Sequence, residues 1–414
     1  MSKIREIKAK EILASNGMPT IEVEVELESG VREVASVAWG TSAGKYEAVT
    51  MFDEDMERFG GKGMLKVAKN INEIISGDLG GIEVSEQISI DKKMVGLDGT
   101  ENKSKLGGNA ILGVSLAVAR AGAEEKKMPL WKYLGEVYGL GEKRIPKPMV
   151  VMIEGGKHAD NSTDLQEYLV TCLGERKVEE NLEIEREIYE ALRKILEREG
   201  LSTNVGNEGA FAPSGISSNE KAIEYLVEAI RAAGYTPGKE VGVSIDGAAS
   251  EFFEGGKYNL KIENKSLAGQ ELMEYYLGWL EKYPIVTVED MLSEDDWESW
   301  VEWQKKLTGV VNIGDDLTAT NIKRLEKAIE MRAITGVIIK LNQAGTLSET
   351  VECCKLAKEK GLTIIPSHRG GGETNDTFMV DLAVAVGAEY IKVGITRGER
   401  VEKYNRLMEI EKEI

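Results

Sequence analysis

Short apolar, β-branched runs recur through the second half of the chain, each separated from the next by a stretch with apolar positions at helical spacing. Runs of this kind read as buried parallel strands, placed here at 149–153, 167–171, 240–245, 285–288, 310–313, 336–341, 362–365 and 389–393. Helical periodicity falls at 178–199, 220–233, 267–283, 322–331, 346–360 and 375–386. No helix separates the first two strands, so the pattern predicts a barrel that is irregular at its start. The first part of the chain is organised differently. Residues 4–13 and 20–28 alternate apolar with charged positions around an Asn16-Gly17 turn, and 31–37 follows a Ser29-Gly30 turn. Helical patterns at 64–75 and 109–125 come only afterwards. Strands followed by helices predict an α+β unit. Gly135, Gly139, Gly141, Pro146 and Pro148 cluster at its end. The expected architecture is α/β: an α+β lid domain over residues 1–135, then an irregular eight-stranded (β/α)8 barrel over 136–414.

A polar residue ends several of the apolar runs: Asp246, Glu289, Asp315, Lys340 and Lys392. In a (β/α)8 barrel the C-terminal strand ends meet on one face, so these carboxylates and ammoniums would converge there. Asp246, Glu289 and Asp315 supply hard oxygen ligands suited to Mg²⁺ or Mn²⁺ rather than zinc. Asp is also a preferred helix N-cap, so any one of them alone reads equally well as a cap. Three together beside two lysines favour a metal. Lys340, at the end of an apolar run and with Lys392 and a cation nearby, is expected to have a lowered pKa and to act as a base.

Composition narrows the partners. With 52 basic and 71 acidic residues the net charge is −19, which argues against nucleic acid and membrane surfaces. A small anionic substrate would then need local positive charge or metal. The opening Met-Ser-Lys-Ile-Arg-Glu-Ile lacks an apolar signal core, and no apolar run is long enough for membrane insertion. Cys172, Cys353 and Cys354 show no zinc spacing and read as reduced thiols, so a cytoplasmic location is expected.

His158 and His368 are the only histidines, and both lie in glycine-rich loops, His368 beside Arg369. That setting favours a role in chemistry over an incidental histidine. Glu208 and Glu167 would form a carboxylate pair if the barrel joined them, with repulsion holding one protonated as a general acid. Apart, each is an ordinary glutamate. Gly40-Thr-Ser-Ala-Gly-Lys-Tyr lacks the spacing of an NTPase phosphate loop and has Tyr46 where Ser or Thr must bind magnesium. A hinged lid and a plain surface turn are its remaining readings.

Four longer strings carry a resemblance: Lys103-Ser-Lys-Leu-Gly-Gly-Asn-Ala-Ile-Leu-Gly-Val-Ser-Leu-Ala, Ile313-Gly-Asp-Asp-Leu-Thr-Ala-Thr-Asn, Lys340-Leu-Asn-Gln-Ala-Gly-Thr-Leu-Ser-Glu and Gly398-Glu-Arg-Val-Glu-Lys-Tyr-Asn. In these the chain resembles the enolases. The resemblance implies a magnesium-dependent hydro-lyase of glycolysis with two Mg²⁺ per site, forming a homodimer or larger ring. It places metal ligands on Asp246, Glu289, Asp315 and the lid Ser42, the base on Lys340, and the general acid on Glu208 beside Glu167. It gives His158 and His368 to substrate loops, Arg369 to phosphate and Lys392 to the substrate carboxylate. A Lys or His base with one or two Mg²⁺ is the general solution of the enolase superfamily.

The departures concern the substrate. Where the family reads Ser-His-Arg-Ser-Gly-Glu-Thr, this chain has Gly370-Gly-Gly-Glu after Ser367-His-Arg, one residue longer and without the second serine. Lys157 and Asp160 are expected at the mouth. Dehydration of 2-phosphoglycerate is the leading expectation, and a related enzyme for another phosphorylated or phosphono 2-hydroxy acid is the alternative. A non-catalytic binding protein is a third reading. It gives no reason to keep like charges together.

Overall fold

The computed structural model describes residues 2–40 and 44–414, so Ser42 lies outside the described residues. Strands β1 (Ile4–Leu13), β2 (Pro19–Leu27) and β3 (Arg32–Ser36) form an antiparallel meander in that order. Its buried face, with Ile21, Val23 and Val25, packs on a long helix, and alternation on the strands produces that face directly. The helices of this unit are α1 (Gln87–Asp98), α2 (Gly108–Glu125) and α3 (Leu130–Tyr138). Helix α2 lies so close to the meander that a Cβ on Gly113 would stand 2.7 Å from Val23. The helix expected at 64–75 instead runs through Leu65–Lys69, Asn70–Ile75 and Ser76–Leu79, with its middle segment π-wound. From that segment Asn72 accepts from Ala9 N (2.7 Å) and donates to Ala9 O (3.1 Å), closing the open edge of β1.

The barrel strands are β4 (Lys147–Glu154), β5 (Glu167–Cys172), β6 (Val241–Asp246), β7 (Ile285–Glu289), β8 (Val311–Gly314), β9 (Gly336–Ile339), β10 (Thr363–Pro366) and β11 (Tyr390–Lys392). They form one sheet in the order β10-β9-β8-β7-β6-β5-β4-β11. A parallel bridge from Ser367 to Lys392, with His368 N donating to Lys392 O at 3.0 Å, joins its two ends. Strand β5 is antiparallel to both neighbours. Its first residue therefore lies at the end of the barrel where the other strands finish, and Glu167 faces Asp246 across the ladder. Inside the barrel Met149, Val151, Leu169, Ala210, Ile313, Ile338 and Ile365 make a small separate core.

Helices α4 (Val178–Arg198) and α5 (Asn219–Ala232) precede β6, and α6 (Gly269–Lys282), α7 (Trp297–Lys306), α8 (Ile322–Glu330), α9 (Leu347–Glu359), α10 (Phe378–Val386) and α11 (Arg400–Glu413) alternate with the later strands. Sequence patterning missed α1, α3, α7, α11 and a small sheet of Phe253–Glu254, Lys257–Leu260 and Lys265–Leu267. In α7 only Trp300 and Trp303 are buried, which is too little for a clear period.

The two units meet at the site. Gly371–Gly372 pairs antiparallel with Trp39–Gly40, and Trp39 is fixed by its Nε1 donating to Pro19 O at 3.0 Å. A Cβ on Gly372 would stand 2.9 Å from the Trp39 ring, so the glycine run lets one backbone lie against the other unit. Gly345, at φ +86°, ends the short helix Leu341–Ala344, and a Cβ there would meet Lys103 Cδ at 2.7 Å and Ala48 Cβ at 3.0 Å. Gly345→Ala should therefore cost about 1–3 kcal/mol through backbone strain and crowding between the units. Gly278→Ala, in α6 with nothing within 4 Å, should be neutral or stabilise by about 0.5–1 kcal/mol. Urea unfolding of both variants checks this, and equal effects would show that the interface yields freely.

Candidate active site

Asp246 and Glu289 are the last residues of β6 and β7, Asp315 follows β8, Lys340 follows β9, and Lys392 ends β11. All stand on one end of the barrel with Glu167, and all except Glu289 line one cavity with Glu47, His158, Glu208, His368 and Arg369. Side chains fill it closely, leaving about 20 Å³, little more than one water. The helix-cap reading of the carboxylates does not apply. The side-chain caps of α5, α7, α8 and α9 are Ser218, Asp296, Asn321 and Thr346.

Lys392 is the hub of the acidic half. Its Nζ lies 2.9 Å from Asp246 Oδ2, 2.9 Å from Glu167 Oε2 and 2.8 Å from Glu289 Oε2. Burial works against its charge, but these carboxylates outweigh it and hold the ammonium well above the usual lysine range. Burial followed by the Asp246 charge pushes Glu289 well above the usual carboxylate range. Asp290, at φ +42°, accepts from Asp315 N (3.0 Å) and Asp316 N (2.6 Å), and burial together with Asp316 pushes it well up. Burial and Asp315 raise Asp316 to about 8.

These shifts describe carboxylates crowded beyond what the local cations neutralise. The donors are all oxygen, which fits a hard divalent cation. Asp290, Asp315 and Asp316 offer oxygens within 4.8 Å of one another, beside Asp246 and Glu289.

Lys340 has a direct partner. Its ammonium pairs directly with Asp315, and although burial lowers its pKa, the Asp315 charge wins and raises it. Gln343 Nε2 donates to the other Asp315 oxygen at 2.9 Å and approaches Glu47 Oε1 at 3.3 Å. Arg369 Nη1 donates to Glu47 Oε1 at 2.9 Å, and its guanidinium lies against Gly40, where a Cβ would be 2.6 Å from Cζ.

Across the cavity Glu208 sits between two imidazoles. His368 Nε2 is 3.1 Å from Glu208 Oε2, and His158 Nδ1 is 3.4 Å from Glu208 Oε1 and 3.3 Å from Glu167 Oε1. The expected Glu208–Glu167 pair, with one member held protonated by repulsion, is not formed directly, because His158 stands between the two. Burial would raise Glu208, yet the His368 charge and hydrogen bond bring it well below the usual range. The imidazoles gain correspondingly: burial opposes their charge, but Glu167 and Glu208 lift His158 to about 9, and Glu208 with Glu373 lifts His368.

Sequence reading missed Glu47, Glu154, Asp290, Asp316, Gln343, Glu373 and Lys403. The strand-end signal that marked Glu289 also marks Glu154, one residue beyond the expected 149–153 run. Gly371 and Gly372 are committed to the ladder with Trp39–Gly40. Gly370 has no room for a side chain: its Cβ would collide with Glu208 Oε1 and stand 2.8 Å from His158 Cε1. Lys157 is exposed and pairs at 3.1 Å with Glu251, a residue that lines the cavity, and Asp160 is exposed.

Carboxylates and lysines gathered at the mouth of an α/β barrel are the setting of a metal-assisted acid–base enzyme. Residues 4–134 match the family model "Enolase, N-terminal domain" and residues 142–414 match "Enolase, C-terminal TIM barrel domain". The chain belongs to the enolase family, whose members are hydro-lyases.

Glu373 ties His368 to the core. Its Oε2 is 3.4 Å from His368 Nδ1 and its Oε1 is 3.4 Å from the buried Lys403. Burial would raise it, but Lys403 and His368 hold it at about 2. A depressed carboxylate contributes stability above its unfolded pKa and loses it as pH falls through the folded value. The Glu373 contribution is therefore full above pH ~4.5 and fades toward pH ~2. Urea unfolding at pH 6 and pH 3 should show the wild-type advantage over Glu373→Gln shrinking by about 2 kcal/mol. A constant difference would mean that Glu373 is not held ionised by these partners.

Proposed function

We propose that the protein catalyses the Mg²⁺-dependent dehydration of 2-phosphoglycerate to phosphoenolpyruvate. The observation that carries this reading is the division of one cavity into two facing halves, Lys340 and Lys392 among carboxylates and Glu208 between imidazoles. Asp246, Glu289 and Asp315 would hold the cation, with Ser42 in the ligand set of a second. Bound there, Mg²⁺ supplies electrostatic stabilisation of the charge that develops on the substrate carboxylate.

The chain's own residues do the rest. Lys340 must release Asp315 before its amine can take the proton α to the carboxylate. Lys392 orients that carboxylate. On the opposite side Glu208, supplied with a proton by His158 or His368, assists departure of the hydroxyl as water. Arg369 and His368 receive the phosphate, for which Arg369 must exchange its Glu47 partner. The same reading carries a glycolytic, cytoplasmic enzyme that works as a homodimer or larger ring. No helix among the described residues is long and apolar enough to cross a membrane.

One observation favours a second reading, an enzyme for a different phosphorylated or phosphono 2-hydroxy acid. The space next to Arg369 that a serine would need is taken by Glu208 and His158.

Chelation should abolish turnover, and Mg²⁺ or Mn²⁺ but not zinc alone should restore it. In the metal-loaded enzyme Lys340→Ala should lose exchange of the substrate α-hydrogen with solvent deuterium. Glu208→Gln should retain exchange but lose dehydration by at least ~100-fold. The reverse pattern would exchange the two roles.

Replacing Gly370-Gly371-Gly372 by Ser-Gly should lower kcat/KM for 2-phosphoglycerate at least tenfold, roughly 1.4 kcal/mol, because the new Cβ displaces Glu208 and the ladder to Trp39 is shortened. Steady-state kinetics check this. An increase would favour the second reading.

A further inference from the structure

Glu154, the last residue of β4, is fully buried beside the site, and the mechanism above gives it no part. We propose that Glu154 is a positioning residue for Glu208, whose carboxyl group fixes the turn that carries Glu208 and so sets where Glu208 stands between the two imidazoles. The inference rests on the acid role given to Glu208.

Both oxygens of Glu154 are engaged with that turn. Oε1 accepts from Ala210 N at 2.7 Å and Glu208 N at 3.1 Å, and Oε2 accepts from Glu208 N at 3.0 Å. Glu154 also meets the turn through its own backbone, its N–H donating to Phe211 O at 2.8 Å. The turn is built to fit this group: a Cβ on Gly206 would stand 2.5 Å from Glu154 Oε2 and 2.8 Å from His158 O. Asn207 N donates to His158 O at 3.1 Å, so the same few residues fix the Glu208 turn and the His158 loop together.

The charge environment explains why a carboxyl group serves here. Glu208 faces Glu154 from the turn, His158 from its loop, Glu167 from β5 and Tyr189 from α4, while Arg400 of α11 donates to Asn207 O at 3.0 Å. Burial first, then the Glu208 charge, raise the Glu154 carboxyl to about 8. At pH 7 the protonated form of Glu154 therefore predominates, and Glu208 keeps its place between the imidazoles. Above that pH Glu154 ionises, and two buried carboxylates repel across one turn.

The neutral amide of Glu154→Gln reproduces the shape of the protonated acid, whereas Glu154→Ala removes the support. The chain has two histidines, so an imidazole-nitrogen NMR titration follows His158 and His368 without substrate. In wild type and Glu154→Gln both imidazoles should titrate above ~6.5, and in Glu154→Ala both midpoints should fall by at least about one unit. In turnover Glu154→Gln should keep kcat within about threefold at pH 7 and lose the alkaline decline near pH 8, while Glu154→Ala loses about 100-fold in kcat with KM little changed. Unchanged imidazoles and kcat in Glu154→Ala would overturn the proposal. So would a hundredfold loss in Glu154→Gln, which also decides the matter if Glu154→Ala fails to fold. Should wild type not turn over 2-phosphoglycerate, the imidazole titration still tests Glu154, so the substrate reading and this one fail separately.

Discussion

One buried ammonium holds the site together. Lys392 is the common partner of Asp246, Glu167 and Glu289, which come from three different strands. Burying a single carboxylate without a partner is costly enough that the group would rather take a proton. Three of them within 3 Å of one nitrogen are tolerable because each borrows the same charge, and because Lys392 is itself backed by the barrel closure, its carbonyl accepting from His368 N at 3.0 Å. A lysine at this position thus does in the folded chain what an apolar residue does elsewhere in the barrel, setting the distance between strands. It does so through charge, and leaves the carboxylates crowded and reactive. The raised Glu289 follows from burial and that crowding.

The opposite half applies the same principle with histidine. Glu208 has two imidazole neighbours and each imidazole has a second carboxylate, Glu167 on one side and Glu373 on the other. Charges of opposite sign alternate through the chain Glu167, His158, Glu208, His368, Glu373 and Lys403. Alternation of this kind keeps Glu208 ionised in a place where burial alone would neutralise it.

Much of this was legible in the residues. Strand-end carboxylates and lysines announce a barrel mouth because a parallel strand buried on both faces has no other place for charge. The antiparallel course of β5 was not legible, since alternation and apolarity are the same in either direction, so from the residues Glu167 could be named only conditionally, as a partner for Glu208 if the barrel joined them. Glu47 and Gln343 escaped notice because their meaning lies in contact between two units of the chain. The lowering expected for Lys340 rests on Lys392 and a cation beside it, whereas the geometry adds a direct partner that the sequence did not offer, Asp315. Gly370 shows the converse. The absent serine marked only a departure bearing on the substrate, and the structure places Glu208 and His158 where a side chain on Gly370 would stand.

The ladder between Gly371–Gly372 and Trp39–Gly40 joins the loop that carries His368 and Arg369 to the meander of the other unit. Ligand affinity and the docking of the two units are therefore linked quantities. Whatever a ligand gains on Arg369 by having the units docked must reappear, in equal measure, as tighter docking once the ligand is bound. An anion held by this loop would also tie β2 and β3 to the barrel, and a change confined to the meander would then be felt as a change in affinity.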